Sequence, residues 1–314
     1  MKEFTILEDD AGQRLDKFVL KVTGNLSPSL MYKYIRKKDI KVNGKRSSAD
    51  MRLSQGDKVT LYIKDEFFEK PSDDFLSIGY DPKLAIVYED KNILLVDKKP
   101  GVVVHADESQ SRDTLINQVL LYLYKKGEYD PKSQQSFRPA LCNRLDKNTG
   151  GIVIVAKNAA AGRVMYEIIK NRQVIKKYLA LVKGSMPKSK DTLTAYLIKD
   201  SSEKKVRIFD SPRNGAKTII TKYRVLKEAK GMSLIEVELV TGRTHQIRAH
   251  LSHIGHPIFG DCKYGNADNK NSIFKHQALY AYSLRFKLSG EQNILSYLNG
   301  KRFTVHDIYF ENYI

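Results

Sequence analysis

The sequence predicts an α+β protein: a mostly antiparallel mixed sheet with helices, preceded by a small basic module of helices and short strands. Three observations lead there. From Leu84 onward strand and helix patterns interleave without the regular βαβ alternation of a parallel fold. Ile235-Glu236-Val237-Glu238-Leu239 alternates strictly, as an antiparallel strand with one wet face does. Residues 14–64 carry 13 Lys and Arg against 4 Asp, a net of +9 out of the chain's +18, on a helix–helix–turn pattern.

In the basic module, Leu15, Phe18 and Val19 share one face of a first helix. Ser27-Pro28 starts a second, with Ser as N-cap and Pro at the first helical position. Asn43-Gly44 is a tight-turn signal between short extended pieces, and 57–63 alternates like a strand. The excess charge gathers on Arg14, Arg36, Lys37, Lys38, Lys41, Lys45 and Arg46, the concentration that phosphate binding requires. A solvated face would hold the same charges. Residues 67–83 turn acidic around Pro71 and read as a linker, which divides the chain into 1–66, 67–83 and 84–314.

In the larger part, Ile93–Val96 and Val102–Val104 read as strands joined through Lys99-Pro100-Gly101. Ile152–Val155 is a buried strand. Asn158 then caps a helix with Ala161, Val164, Met165, Ile168 and Ile169 at 3.6-residue spacing. Lys177–Val182 returns as a strand.

With 314 residues and 41% hydrophobic content the chain can bury a substantial core. Its +18 surplus favours a polyanionic partner. No apolar run reaches the ~20 residues of a membrane span, and the N-terminus lacks an apolar export segment, so a cytoplasmic location is expected. Cys142 and Cys262 match no metal-ligand spacing and read as reduced, part-buried thiols.

Two segments carry chemistry. Asn143-Arg144-Leu145-Asp146-Lys147-Asn148-Thr149-Gly150-Gly151 puts a charged Arg-x-Asp and a double glycine directly ahead of a buried strand. A carboxylate there is shielded beside the core, and a neighbouring cation favours its charged form. A polar turn with a local ion pair accounts for the same residues. Thr241–Leu251 places Arg243 at a strand-to-helix turn, with Thr244 as the expected cap and Ile247, Leu251 and Ile254 on the buried side. His245, His250, His253 and His256 fall at offsets unlike a helix-borne ligand pair, so no metal is assigned. Nucleotide-binding loops and serine-nucleophile elbows are missing from the sequence.

These segments together resemble the RluA-type pseudouridine synthases of the large ribosomal subunit class, with an S4-like RNA-binding domain in front. The likeness runs from the basic module through Lys99–His105, Arg144-Leu145-Asp146, Lys177-Tyr178 and Thr241–Leu251 to Gly255–Asp261. It departs at Asn143, where histidine is common, and at Gly150, where serine is usual. The resemblance implies isomerisation of chosen uridines in structured RNA, with no cofactor and no metal. Large-subunit ribosomal RNA is the favoured substrate and transfer RNA the alternative. Asp146 would act at the ribose, by covalent attack or through a glycal, with Arg243 paired to it. Tyr178 would stack on the detached uracil and then take the C5 proton. Arg144 would bind a phosphate or fill the gap left by the flipped base, and Thr149, His245 and Arg248 would complete the substrate site. A non-catalytic RNA-binding assembly factor is the alternative function. An intact set of Asp146, Tyr178 and Arg243 argues against it.

Overall fold

The computed structural model describes residues 1–68, 74–105, 112–200, 203, 205–265 and 273–314. Its N-terminal part comprises β1 (Lys2–Thr5), α1 (Leu15–Val22), α2 (Pro28–Arg36), β2 (Ile40–Val42), β3 (Lys45–Arg46) and β4 (Lys58–Leu61). The strands form a sheet in the order β1-β4-β2-β3. Ser27 caps α2 by accepting the Leu30 N–H, as the Ser-Pro pair predicts. Asn43 and Gly44 both take positive φ, 51° and 73°, the primed turn that a two-residue hairpin needs. Leu15, Phe18, Val19, Met31, Ile40, Val59 and Leu61 close a core of their own.

The larger part comprises β5 (Ile86–Glu89), β6 (Ile93–Lys98), α3 (Leu115–Lys125), β7 (Ala140–Leu141), β8 (Gly150–Ala156), α4 (Ala159–Lys170) and β9 (Val174–Lys183). It continues with β10 (Lys190–Asp200), β11 (Lys205–Phe209), β12 (Lys217–Ala229), β13 (Met232–Leu239), α5 (Gln246–His253), β14 (Leu279–Phe286) and β15 (Arg302–Thr304). One sheet runs β11-β10-β12-β13-β9-β14-β8-β6-β5, with β15 on β14 and β7 on β8. Within it only β14 and β8 are parallel, through two register pairs, Tyr280–Gly150 and Ala281–Gly151. That seam joins a half built from residues 86–156 to a half built from residues 174–304.

Strands β6 and β8 are apolar on both faces because both faces are covered. Leu94, Val96, Val153 and Val155 pack with α3, while Ile93, Leu95, Ile152 and Ile154 pack with α4. Asn158 caps α4 through the Ala161 N–H. Among the described residues no helix is long and apolar enough to cross a membrane.

Three expectations need correction. Val102–Val104 is no strand: only Val103 makes a bridge, to Thr114. The Val103 and Val104 carbonyls instead accept the first amides of α3, from Leu115 and Ile116. The segment read as a linker takes up the end of one 3-10 turn, Asp65–Phe68, and holds a second, Asp74–Ser77. Phe67 and Phe68 pack on the N-terminal core, and Phe75 is fully buried in the core of the larger part. Residues 69–73, including Pro71, lie outside the described residues. Of the cysteines, Cys142 is half-buried, but Cys262 is exposed.

Candidate active site

Asp146 lies in the loop just before β8, with 26% of its side chain exposed. The loop is held from three sides. Lys98, buried at the end of β6, donates from Nζ to the carbonyls of Lys99 (3.1 Å), Val102 (3.0 Å) and Lys147 (2.9 Å). Burial lowers this lysine to about 7, against the opposing charges of Asp146 and Asp97. Three carbonyl acceptors match the three donors of an ammonium, so the geometry fits its charged form. On the second side, Asn143 takes the Ile154 N–H on Oδ1 at 2.7 Å and donates to the Ile152 carbonyl. The side chain that departs from histidine here therefore splices the loop to β8. On the third, Gln277 donates to Thr149 Oγ1 at 3.0 Å, and the Thr149 amide donates to the Asp146 carbonyl.

Gly150 also has a physical cause. A Cβ there would stand 2.2 Å from the Tyr280 ring, and one on Gly151 would stand 2.3 Å from the Ala281 carbonyl oxygen. Tyr280 fills the space a serine would enter and donates its hydroxyl to Asp97 at 2.6 Å.

The arginine facing Asp146 is Arg248. Its Nη1 donates to Asp146 Oδ2 at 2.8 Å, while Nε and Nη2 grip both oxygens of Asp261 at 2.7 and 2.8 Å. Burial would lower the Arg248 pKa, but hydrogen bonding and charge from Asp261, and then Asp146, reverse this and raise it. Burial would likewise raise Asp261, yet Arg248 and the amides of Lys263 and Tyr264 bring it below the usual carboxylate range. A guanidinium fixed bidentately by one carboxylate has a single direction left, and that direction is Asp146.

The expected Arg243–Asp146 pairing is therefore corrected. Arg243 precedes α5, is exposed, and has no ion-pair partner among the described residues. The sequence held the distinguishing signal: Arg248 follows Ile247 and stands three residues before Leu251, on the buried side of the helix. Thr244 is not the cap either. His245 occupies that position in left-handed conformation, φ 54°. Gln246 closes the turn through its side chain, Oε1 accepting from Thr241 Oγ1 and the Arg243 amide.

His245 does reach the site. Its Nε2 stands 3.8 Å from Asp146 Oδ2, and its Nδ1 hydrogen-bonds Tyr264 Oη at 2.8 Å. Tyr264 Oη also accepts the Val206 amide of β11, and Arg248 lies over the Tyr264 ring. Burial lowers the imidazole, opposed by Asp146. Tyr178 of β9 is buried beside the carboxylate: burial raises its phenol, and the Asp146 charge raises it further. Arg144 is exposed at the loop. Thr149 is only 3% exposed and is committed to Gln277, so it braces the loop and does not face a ligand.

The other three histidines between residues 245 and 256 have separate partners: Thr221 for His250, Asp210 for His253 and the Lys183 carbonyl for His256. In the N-terminal part Arg36, Lys37, Lys38, Lys45 and Arg46 are exposed. Lys41 lies over the Tyr62 ring, and Arg14 is paired with Asp16 at 2.7 Å.

The family model described as RNA pseudouridylate synthase matches residues 92–253, and the S4 domain model matches residues 13–59. An uncharacterized RNA pseudouridine synthase of Mycoplasma genitalium is 34% identical over 289 residues, spanning 90% of this chain and 88% of that protein. The ribosomal large subunit pseudouridine synthase D of Buchnera aphidicola is 32% identical over 300 residues, covering 91% and 90%. Among solved structures, human RNA Pseudouridylate Synthase Domain Containing 1 is similar with a TM-score of 0.54 and 26% identity, over 75% of this chain and 95% of that one.

Proposed function

Because the chain belongs to the RNA pseudouridylate synthase family, we propose that Asp146 is its catalytic carboxylate and that its substrate is large-subunit ribosomal RNA. The observation that carries the first part is the ion pair: a part-exposed Asp146 facing a guanidinium that Asp261 holds in place. Relatives named ribosomal large subunit pseudouridine synthases C and D support the second.

The target uridine must leave its stack to bring C1′ and C5 to Asp146, at a cost of a few kcal/mol. Asp146 then breaks the N1–C1′ bond, by attack on C1′ or by removing the C2′ proton to give a glycal, and the pair of electrons leaves with uracil N1. The uracil turns, C5 bonds C1′ as Asp146 is released, and the C5 proton passes to Asp146 or water while N1 takes one up. Arg248 orients the carboxylate. Burial and the Asp146 charge both disfavour a Tyr178 phenolate, so this ring is better suited to stacking on uracil than to removing its proton. His245 and Arg144 flank the opening. The reaction draws on no metal or cofactor, residues 1–66 capture RNA, residues 84–314 perform the chemistry, and the enzyme works in the cytoplasm.

Asp146→Asn keeps size and polarity and tests the assignment. A barrier raised by ~5 kcal/mol would slow conversion several thousand-fold while RNA affinity is retained. The measurement is single-turnover pseudouridine formation on large-subunit ribosomal RNA beside a binding titration. Wild-type turnover in the Asn variant would remove Asp146 from the chemistry.

A further inference from the structure

Beside Pro100, whose neighbour Gly101 donates its amide to the Lys147 carbonyl of the catalytic loop, lies a cavity of about 300 Å³, at the lower end of the range that small ligands occupy. Aromatic side chains form much of its wall. Phe274 is buried and meets Tyr313 edge-on at 4.8 Å and Tyr309 at 6.1 Å, which fixes both rings while leaving Tyr313 48% and Tyr309 41% exposed. Lys275 and His276 add a cation and an imidazole, and Pro100 and Ile273 complete the lining.

Two features separate this cavity from an ordinary surface dent. The first is an unsatisfied group: His276 Nδ1 is buried and has no hydrogen-bond partner among the described residues, a condition that costs free energy and that a turn of the ring toward a polar ligand would relieve. Burial lowers this imidazole, so one of its nitrogens accepts and the other donates. The second is a direct connection to the site. Tyr309 Oη donates to the Gln277 carbonyl at 3.0 Å, and the Gln277 amide donates to Thr149 in the loop that carries Asp146.

We propose that this cavity, walled by Pro100, Phe274, Lys275, His276, Tyr309 and Tyr313, is a subsite for an unstacked nucleobase flanking the target uridine. A base presents what the cavity lacks: a π-face for Tyr309 and Tyr313, a polar edge for His276, and a phosphate within reach of Lys275. Extruding one nucleotide weakens the stacking of its neighbours, and a second aromatic site would hold the strand open while Asp146 works. The subsite rests on the reading of this chain as a pseudouridine synthase acting at Asp146, and it adds recognition of sequence or loop shape next to the target.

The test uses the full chain and a ribosomal RNA stem-loop that contains the converted uridine. Tyr313→Ala should weaken RNA binding roughly 5- to 150-fold, the range for loss of one base stack. Tyr313→Phe, which keeps the ring, should bind like wild type, and matching melting temperatures confirm that the variants fold. An abasic substitution at one nucleotide flanking the target should reproduce the loss in the wild-type protein and add nothing to Tyr313→Ala. Full affinity in Tyr313→Ala, or abasic losses that add to it at every flanking position, would overturn the subsite alone. Absence of conversion by the wild-type enzyme would overturn the catalytic reading and the subsite together.

Discussion

Arg248 stands between two carboxylates with unequal claims on it. Asp261 is 1% exposed, holds the guanidinium by both oxygens, and accepts the Lys263 and Tyr264 amides as well. Asp146 receives one N–H and stays open to solvent. Shortening the fork therefore removes the orientation that reaches Asp146 before it removes positive charge. Arg248→Lys should lower the single-turnover rate by at least about 100-fold, since an ammonium cannot serve both partners in one geometry. Arg243→Ala should leave that rate intact and weaken RNA binding, because Arg243 projects from the turn without an ion-pair partner among the described residues. Measuring both variants at saturating enzyme decides which arginine serves the carboxylate. A reversed pattern would restore the pairing expected from the sequence.

At the scale of the element, α5 is seated on β12 by two polar side chains. Gln246 donates to Thr221 Oγ1 and to the Ile220 carbonyl, and His250 hydrogen-bonds the same Thr221 hydroxyl. Burial, aided by the charge of His253, lowers His250 from 6.5 to about 4. With its folded pKa below the unfolded value, the unfolded chain takes up this proton first as the pH falls. Stability from this group is complete above pH 6.5 and declines toward pH 4, by up to ~3 kcal/mol. Urea midpoints should fall from about pH 6.5 to about pH 5, and His250→Gln should flatten that slope; an unchanged slope would place the titration elsewhere. The same helix shows what the sequence discloses and what it withholds. Its apolar spacing, its end at Gly255 and the strand before it were legible because they are periodic or conformationally specific. The cap was not, because Gln246 closes the turn by folding back on Thr241, a tertiary choice that local propensity does not contain. Lys98 is hidden in the sequence for a similar reason: it is one of two adjacent lysines, and only the fold brings the Lys147 carbonyl to it. Asp146, by contrast, is legible because an Arg-x-Asp and two glycines stand directly ahead of the apolar run of β8.

At the scale of the whole molecule, charge and chemistry occupy different parts of the chain. Residues 14–64 hold net +9 and none of the groups around Asp146. The N-terminal part is nonetheless docked: Asp9 accepts the Ala159 amide at the start of α4, Gln135 donates to the Thr5 carbonyl, and Ser136 bonds Asp10. Removing residues 1–68, which spares the buried Phe75, should weaken RNA binding and flatten the dependence of log K on log salt. The slope should fall by ~0.7 to 0.9 for every phosphate that the shortened protein no longer neutralises. Conversion should persist when enzyme and RNA are concentrated. Unchanged affinity and slope would mean that these cations are only a solvated surface. A folded but inactive core at saturation would mean that the docked module helps build the site.

The two-pair seam between β14 and β8 bears on the order in which the enzyme comes together. Asp146 precedes β8 and Arg248 belongs to the other half, 102 residues away in the chain. Each half pairs its own strands, but the cores that both halves share, and the contact of the carboxylate with its arginine, form only when the halves meet along Gly150 and Gly151. Pairings of such long sequence separation form late, because chain closure must precede the interactions that reward it. During refolding from urea, tyrosine fluorescence should therefore recover ahead of catalytic competence, with activity returning in the slowest phase. Simultaneous recovery would show that the halves assemble as one unit. If activity does return last, an interrupted fold of this enzyme is compact yet silent, and catalysis reports that the seam has closed.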